Sequence, residues 1–152
     1  MAVATESGTC FSFGHAGWGV LGHGDDRAHK HSPTVIAALR EEHITEVSAG
    51  AYHSLVATRE GMVYSFGFGL HGRLGHGDET RHFVPRRVQA LGGVLVRGIS
   101  AGESHSLALT EAGDVYSFGD GENHWLGHGD EESRWSPTLI EALSRGTRCR
   151  AA

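Results

Sequence analysis

Three similar segments recur along the chain at nearly constant spacing, and this repetition limits the fold more than any other feature. The segments read GTCFSFGHAGWGVLGHGD, GMVYSFGFGLHGRLGHGD and GDVYSFGDGENHWLGHGD, and they begin at Gly8, Gly61 and Gly113. A proline follows each segment, and a second motif, SAGxxHSL, occurs twice between them. A fixed period of about 50 residues is typical of a supersecondary unit that stacks on copies of itself.

Alternating apolar and polar residues within each unit predict short β-strands. MVYSF alternates from Met62, and HSLALT does so from His105. Each such run is about five residues long and ends at glycine or at an acidic turn. We therefore predict four strands per unit, ITEVSA, HSLVAT, MVYSF and PRRVQAL, which is the number found in a β-propeller blade. TVIAALREEH, from Thr34, could instead form a helical turn or two.

These motifs resemble the regulator of chromosome condensation repeat. SAGxxHSLALT, GxVYSFG, GxxGxLGHGD and a proline-led strand follow one another in the order of that family. The resemblance implies an all-β, seven-bladed propeller in which each blade combines strands from two adjacent repeats. About two and a half four-stranded antiparallel blades are predicted. The predicted parts are an N-terminal tail (1–8), a half blade (9–39), two blades (43–91 and 95–143) and an unstructured tail (144–152).

The half blade raises the question of how the ring is completed. A closed ring needs more blades than these, and open sheet edges invite pairing with other strands. We expect the sequence to be a fragment of a longer protein, a truncated product, or a chain that completes a ring with other copies of itself.

The histidines and aspartates of the repeated motifs allow a metal site or a structural role. His23, His76 and His128 occupy equivalent blade positions, which lie much farther apart than a metal bond of about 2 Å allows. Glycine at positive φ and aspartate bonded to backbone N–H groups explain LGHGD as a turn. The residues predicted to be structural are Gly22, Gly24, Asp25, Gly75, Gly77, Asp78, Gly127, Gly129 and Asp130, together with Gly50, His53, Gly102 and His105 of the second motif.

No catalytic, cofactor-binding or metal-binding residue is predicted. GFGLHG, from Gly67, matches G-x-G-x-x-G, but no helix follows it and the sister copies each lose a glycine. Cys10 aligns with Val63 and Val115 and is predicted to be a core residue. Cys149 has no informative context.

Charge and cysteine content limit the ligands and the cellular compartment that we expect for the chain. The net charge of −5, without a long basic run, disfavours direct nucleic-acid binding. The apolar stretches are too short to span a membrane. With no recognisable signal peptide and two cysteines, an intracellular location is expected, with cytoplasm and nucleus both open.

Repeated structural motifs without a unique polar constellation favour a non-catalytic scaffold that binds a protein partner through blade loops. Trp18, Arg73 and Trp125 are the candidate partner-binding residues. The resemblance implies an alternative, guanine nucleotide exchange on a small GTPase, which needs no acid–base residues. Light sensing, as in the plant UV-B photoreceptor with these repeats, would need Gly-Trp-Arg-His-Thr motifs, where this chain has GAYHS and GESHS.

Overall fold

The computed structural model describes the backbone of residues 2–4 and 7–144 and the side chains of residues 7–144. Within these ranges the chain forms only β-strands and 3-10 helices. The strands are β1 (Ala2–Ala4), β2 (Cys10–Gly14), β3 (Lys30–Val35), β4 (Ile44–Ala49), β5 (His53–Thr58), β6 (Val63–Gly67), β7 (His82–Arg87), β8 (Val96–Ala101), β9 (His105–Thr110), β10 (Val115–Gly119) and β11 (Arg134–Leu139). The 3-10 helices are Gly17–Gly19, Ala37–Leu39, Leu70–Gly72, Gln89–Leu91, Glu122–His124 and Glu141–Leu143.

Antiparallel pairing arranges these strands in three sheets. Their orders are β1-β2-β3, β4-β5-β6-β7 and β8-β9-β10-β11. Every residue of β5 is buried, although one face of an antiparallel sheet is often exposed. The reason is that Leu55 packs toward the sheet that follows and Val56 toward the sheet that precedes. Because successive side chains of β5 point to opposite faces of the sheet, this one strand contributes to the interfaces with both neighbouring sheets.

The hydrophobic core lies between the sheets. Phe66 and Ile44 of the first four-stranded sheet pack against Cys10, Ile36 and Leu39 of the three-stranded sheet. Between the two four-stranded sheets, the buried cluster consists of Leu55, Ala57, Val63, Val88, Leu91, Val96, Ile99, Ala108 and Phe118. Face-to-face stacking of four-stranded antiparallel sheets confirms the predicted propeller-blade architecture, and the partial propeller is not closed.

The first strands of neighbouring four-stranded sheets are tied by side chains. The Ile99 N–H donates to Glu46 Oε2 (3.1 Å), and the Ala101 N–H donates to Ser48 Oγ (2.9 Å). Burial raises the pKa of the Glu46 carboxyl, and the hydrogen bond from Ile99 opposes that shift. These bonds satisfy backbone donors of β8 where no adjacent strand pairs with them.

The N-terminal segment differs from the predicted tail. Residues 2–4 form β1, which pairs with β2 so that Ala2 lies opposite Ser12 and Ala4 opposite Cys10. The same register joins β5 to β6, where Leu55 lies opposite Ser65 and Ala57 opposite Val63. The half blade is therefore a three-stranded sheet, because β1 occupies the position that β5 has in the next sheet. The predicted C-terminal tail lies outside the described residues from position 145 onward.

The fourth strand begins earlier than predicted and ends in a 3-10 turn. β7 starts at His82, three residues before Pro85, and the segment Gln89–Leu91 is a 3-10 helix. Proline is tolerated inside β7 because this strand lies at the sheet edge and needs no second ladder. The stretch from Thr34 likewise ends β3 and continues into Ala37–Leu39, one short helical turn.

Candidate functional site

The LGHGD loops are held by the same polar network in each copy. Ser65 Oγ donates to the Leu74 carbonyl oxygen (2.7 Å) and lies 2.9 Å from His76 Nε2. A serine hydroxyl has a single proton, so His76 Nε2–H must donate to Ser65 Oγ. The serine is therefore not activated as a nucleophile. Equivalent contacts join Ser12 to Leu21 and His23, and Ser117 to Leu126 and His128.

Glycine and aspartate shape the same loops. Gly75 has φ +74°, and a Cβ there would approach the Phe118 ring to 2.9 Å, so the loop packs closely on the next sheet. Asp78 Oδ1 accepts the Thr80 N–H at 2.8 Å, and this bond lowers the pKa of the carboxyl. Asp130 Oδ1 accepts the Glu132 N–H at 3.0 Å, and this bond likewise lowers the pKa of the Asp130 carboxyl.

The first copy differs because of one inserted residue. Asp26, not the predicted Asp25, accepts the backbone N–H two residues on, from Ala28. The remaining predicted glycines, Gly22, Gly24, Gly77, Gly127 and Gly129, all have φ between +68° and +86°.

The second motif joins neighbouring sheets. His53 Nε2 lies 2.7 Å from Ser106 Oγ, and Ser106 donates to the Arg73 carbonyl oxygen (2.8 Å). By the same proton argument, His53 is the donor to Ser106. A Cβ on Gly50 would lie 2.2 Å from the Gly102 carbonyl oxygen, so these two turns stack without room for a side chain.

Burial keeps the histidines of both motifs neutral. It lowers the pKa of His76 to about 4 and that of His53 to about 3, where the nearby Arg73 charge adds to the effect. It also lowers the pKa of His105, whose buried Nδ1 has no hydrogen-bond partner in the described part of the chain. Cys10 is a buried core residue, as predicted, and burial raises the pKa of its thiol to about 11, far from the range of a reactive cysteine.

Acidification is expected to destabilise the fold through His53. An unfolded histidine titrates near pH 6.5, at about the value in model peptides. Between about 6.5 and about 3 the unfolded state binds a proton that folded His53 does not, so stability falls as the pH falls through this window. Urea denaturation at several pH values should show this slope, and His53→Gln should reduce it. An unchanged slope in the variant would count against this role.

A cluster of exposed aromatic side chains and arginine forms a different kind of surface. We define the aromatic–arginine cluster as Trp18, Tyr52, Phe68, Arg81 and Phe83. The Trp18 and Phe68 ring centroids are 4.8 Å apart, and each lies 6.5 Å from the Tyr52 centroid. Trp18 is 45% exposed and Tyr52 37%. The Phe68 N–H donates to the Tyr52 carbonyl oxygen, which holds these two rings side by side.

Loops from two sheets build this cluster. Trp18 lies between β2 and β3, Tyr52 between β4 and β5, and Phe68 and Arg81 between β6 and β7. The Arg81 guanidinium carbon lies 4.7 Å from the Trp18 centroid and 5.3 Å from that of Phe68, within cation–π range. Such a surface, aromatic and cationic at once, is typical of binding hot spots.

Two of the three predicted partner-binding residues are exposed, and the third is not. Trp18 belongs to the cluster, and Trp125 is 47% exposed near His105. Arg73 is only 2% exposed, so its prediction as a partner contact is wrong. Its Nε donates to the Leu70 carbonyl oxygen and its Nη1 to that of Glu103, which ties two sheets together.

Within residues 7–144, no group of three or more His, Cys, Asp and Glu side chains is placed to hold a metal ion. In the described part of the chain, no helix has the length and apolarity needed to cross a bilayer. The polar constellations described above are hydrogen-bonded within the fold, and the aromatic–arginine cluster is the surface best suited to contact another molecule.

Comparison with models of known protein families identifies the repeats. The regulator of chromosome condensation (RCC1) repeat model matches residues 7–57, 60–109 and 112–151. The chain belongs to the RCC1 repeat family. The RCC1 repeats do not coincide with the sheets, because β4 and β5 end the first matched repeat whereas β6 and β7 begin the second. Each four-stranded sheet therefore combines two adjacent repeats, as the resemblance implies.

Curated relatives contain the same repeats within longer proteins. The chain is 42% identical to the ultraviolet-B receptor UVR8 of Arabidopsis thaliana over 87% of its own length and 30% of that protein. It is 39% identical to the human E3 ubiquitin-protein ligase HERC2 over 92% of its length, which is 3% of HERC2. The matched segment is thus less than a third of either relative.

Solved structures share the fold. Prp20p of Saccharomyces cerevisiae superposes with a TM-score of 0.81 at 25% identity, over 95% of this chain and 36% of Prp20p. Human WBSCR16 superposes with a TM-score of 0.82 at 23% identity, over 92% of this chain and 35% of that one, and shows the fold alone. Prp20p was solved in a study of its binding to Gsp1p and histones.

Proposed function

We propose that the chain is a protein-interaction scaffold whose partners dock on the aromatic–arginine cluster. The observation that carries this proposal is the exposure of Trp18 and Tyr52 beside an arginine that stacks on Trp18. Grouped exposed aromatic rings expose apolar area to water, and such grouping on a protein surface is typical of interaction sites. Rigid sheets below the loops would hold the rings in place before a partner arrives.

The backbone at Trp18 supports a role beyond packing. Trp18 has φ +64°, a left-handed conformation that is unfavourable for a bulky side chain. The equivalent residues His71 and Asn123 have φ +60° and +53°, so the conformation belongs to the loop in every copy. Only the first copy places a tryptophan there. A strained position that carries a large exposed ring is typical of functional sites.

Replacing Trp18 is expected to remove binding without unfolding the protein. Immobilised wild-type and Trp18→Ala proteins would be exposed to an extract of the source cells, and the retained proteins quantified by mass spectrometry. We expect a set of proteins retained by the wild type to be lost from Trp18→Ala. Trp135→Ala is the matched control, because Trp135 is 49% exposed but lies outside the cluster. Retention of the same proteins by Trp18→Ala would overturn the proposal.

Guanine nucleotide exchange is the second candidate. It is supported by the similarity to Prp20p, which was studied for its binding to Gsp1p, a small GTPase. A panel of small GTPases loaded with a fluorescent nucleotide would test it, with accelerated release as the expected result for an exchange factor. Release at the intrinsic rate across the panel would exclude exchange by this segment and leave the scaffold proposal standing.

The proposed setting is intracellular, which the free, buried thiol of Cys10 supports. We do not propose light sensing despite the similarity to UVR8. The tryptophan-bearing motif that this role requires is replaced by GAYHS at residues 50–54 and by GESHS at residues 102–106.

A further inference from the structure

Two guanidinium groups flank one ring at the edge of the aromatic–arginine cluster. The guanidinium carbon of Arg27 lies 4.1 Å from the Phe83 centroid, and that of Arg81 lies 5.7 Å from it. Within residues 7–144, neither guanidinium forms an ion pair or a hydrogen bond. Arginine that stacks on an aromatic face keeps the N–H groups along its edge available to a carboxylate.

The missing carboxylate is not explained by a shortage of acidic residues. The chain has 18 aspartates and glutamates against 13 lysines and arginines. Three cations do have carboxylate partners: Lys30 contacts Asp26, Arg86 lies 3.8 Å from Asp78 and Arg134 lies 2.8 Å from Asp130. Arg27 and Arg81 differ from these three in that both guanidinium groups lie against the Phe83 ring and, within residues 7–144, neither has a carboxylate partner.

Arg81 also contains a buried donor without an acceptor. Its Nε is shielded from solvent and has no hydrogen-bond partner among residues 7–144. Buried polar atoms in folded proteins are nearly always bonded, and an unsatisfied buried donor lowers stability. The Nη groups of Arg81 are not buried in this way, so a carboxylate that approached them would form charge-assisted hydrogen bonds.

Of the two interfaces between sheets within residues 7–144, one has this arrangement. In the other two copies, His29 and Ser133 take the place of Arg81. Phe68 is replaced by His15 and by Asp120, and at the second interface Asp120 lies 3.9 Å from His71. The repeated Ser–His network is thus common to the three copies, whereas within residues 7–144 two arginines lie against one aromatic ring in a single copy.

We propose that Arg27 and Arg81 bind the carboxylates of an acidic peptide segment of a protein partner, with Trp18 and Phe68 receiving an apolar residue of the same segment. This inference rests on the proposed function and specifies its partner. An acidic peptide fits better than a nucleic acid, because two cations on a chain of net charge −5 cannot replace the many phosphate contacts that nucleic-acid affinity requires.

A synthetic peptide tests the proposal directly. Fluorescein-labelled GEELEEG, with GQQLQQG as the uncharged control, would be titrated with the protein and followed by fluorescence anisotropy. We expect GEELEEG to bind, GQQLQQG not to bind, and added NaCl to weaken the interaction. Arg81→Gln should weaken binding about tenfold or more, since charge-assisted hydrogen bonds are lost. Arg27→Gln should weaken it less, because Arg27 is exposed.

Arg86→Gln is the matched control, because Arg86 lies on β7 close to Arg81 but faces Asp78. It should bind the peptide as the wild type does. Equal binding of GEELEEG by wild type and both cluster variants, or no binding at all, would overturn the proposal, as would stronger binding of a labelled oligothymidylate. Arg27→Gln lies at an exposed position, so it tests the charge even if Arg81→Gln fails to fold.

Failure of the acidic-peptide proposal can be distinguished from failure of the scaffold proposal. If proteins captured from extract depend on Trp18 but are retained by Arg27→Gln and Arg81→Gln, the docking surface stands and its acidic partner is wrong. If capture does not depend on Trp18, the docking surface itself is wrong.

Discussion

Phe66→Ala is expected to lower the free energy of unfolding by about 3–5 kcal/mol, the range for removing a fully buried phenylalanine. Phe66 is 0% exposed and packs between two sheets, against Ile36 and Leu39 on one side and Val56 on its own sheet. The substitution would leave a cavity that the flanking strands cannot close, because their register is fixed by backbone pairing. Urea denaturation followed by circular dichroism should show the midpoint falling by about 2 M.

Phe68→Ala is the control for this prediction. It removes the same side chain two residues along, from a half-buried position in the aromatic–arginine cluster. We expect it to cost about 1 kcal/mol or less, in the range of changes away from the core. Similar losses for the two variants would show that the sheets are not stacked through Phe66.

Gly72→Ala is expected to destabilise the protein by more than the strain of its backbone conformation. Gly72 has φ +76°, and a Cβ there would lie 2.3 Å from the Cα of Trp135 on β11. Strain from a left-handed residue amounts to about 1–2 kcal/mol, and forcing two packed elements apart adds about 1–3 kcal/mol. The total should appear as a lower urea midpoint.

Gly93→Ala separates the two contributions. Gly93 has φ +83°, but a Cβ there would meet nothing within 4 Å. This variant should therefore lose about 1–2 kcal/mol from strain alone. If Gly72→Ala cost no more than Gly93→Ala, the close approach of the β6–β7 loop to the next sheet would be disproved.

Most of the fold could be predicted from the sequence because its signals repeat. β4 and β5 lie at the residues predicted for ITEVSA and HSLVAT, since Gly50 marks the turn between them and Gly61 the turn after β5. β1 was not predicted, although VATESG at Val3 matches VATREG at Val56 and was the available signal. Without the preceding HSL, three residues are too few for alternation to indicate a strand.

The candidate site was only half predictable. Trp18 and Trp125 occupy loop positions at which the three copies carry different residues. Both side chains are exposed, as candidate partner-binding residues should be. Arg73 occupies the same aligned position as Trp125, yet its long side chain reaches two backbone carbonyl groups and is buried. Alignment of repeats assigns a position in the loop, but it does not reveal which acceptors lie within reach of the side chain.

Phe68, Arg81 and Phe83 were missed for a related reason. They come together with Trp18 only because neighbouring sheets stack, so no local pattern connects them. The signal that could have found them is departure from the repeat. Phe68 and Arg81 are positions where the three copies carry chemically different residues.

The central claim is that the repeated polar motifs maintain the fold whereas the aromatic–arginine cluster binds. Measuring the unfolding free energy and the GEELEEG affinity side by side for Ser65→Ala and Arg81→Gln tests it most directly. Ser65→Ala leaves the Leu74 carbonyl and His76 Nε2 unpaired. It should lose about 1–3 kcal/mol of stability and keep its affinity. Arg81→Gln should keep its stability and lose affinity about tenfold. Loss of affinity in a fully stable Ser65→Ala protein would contradict the account.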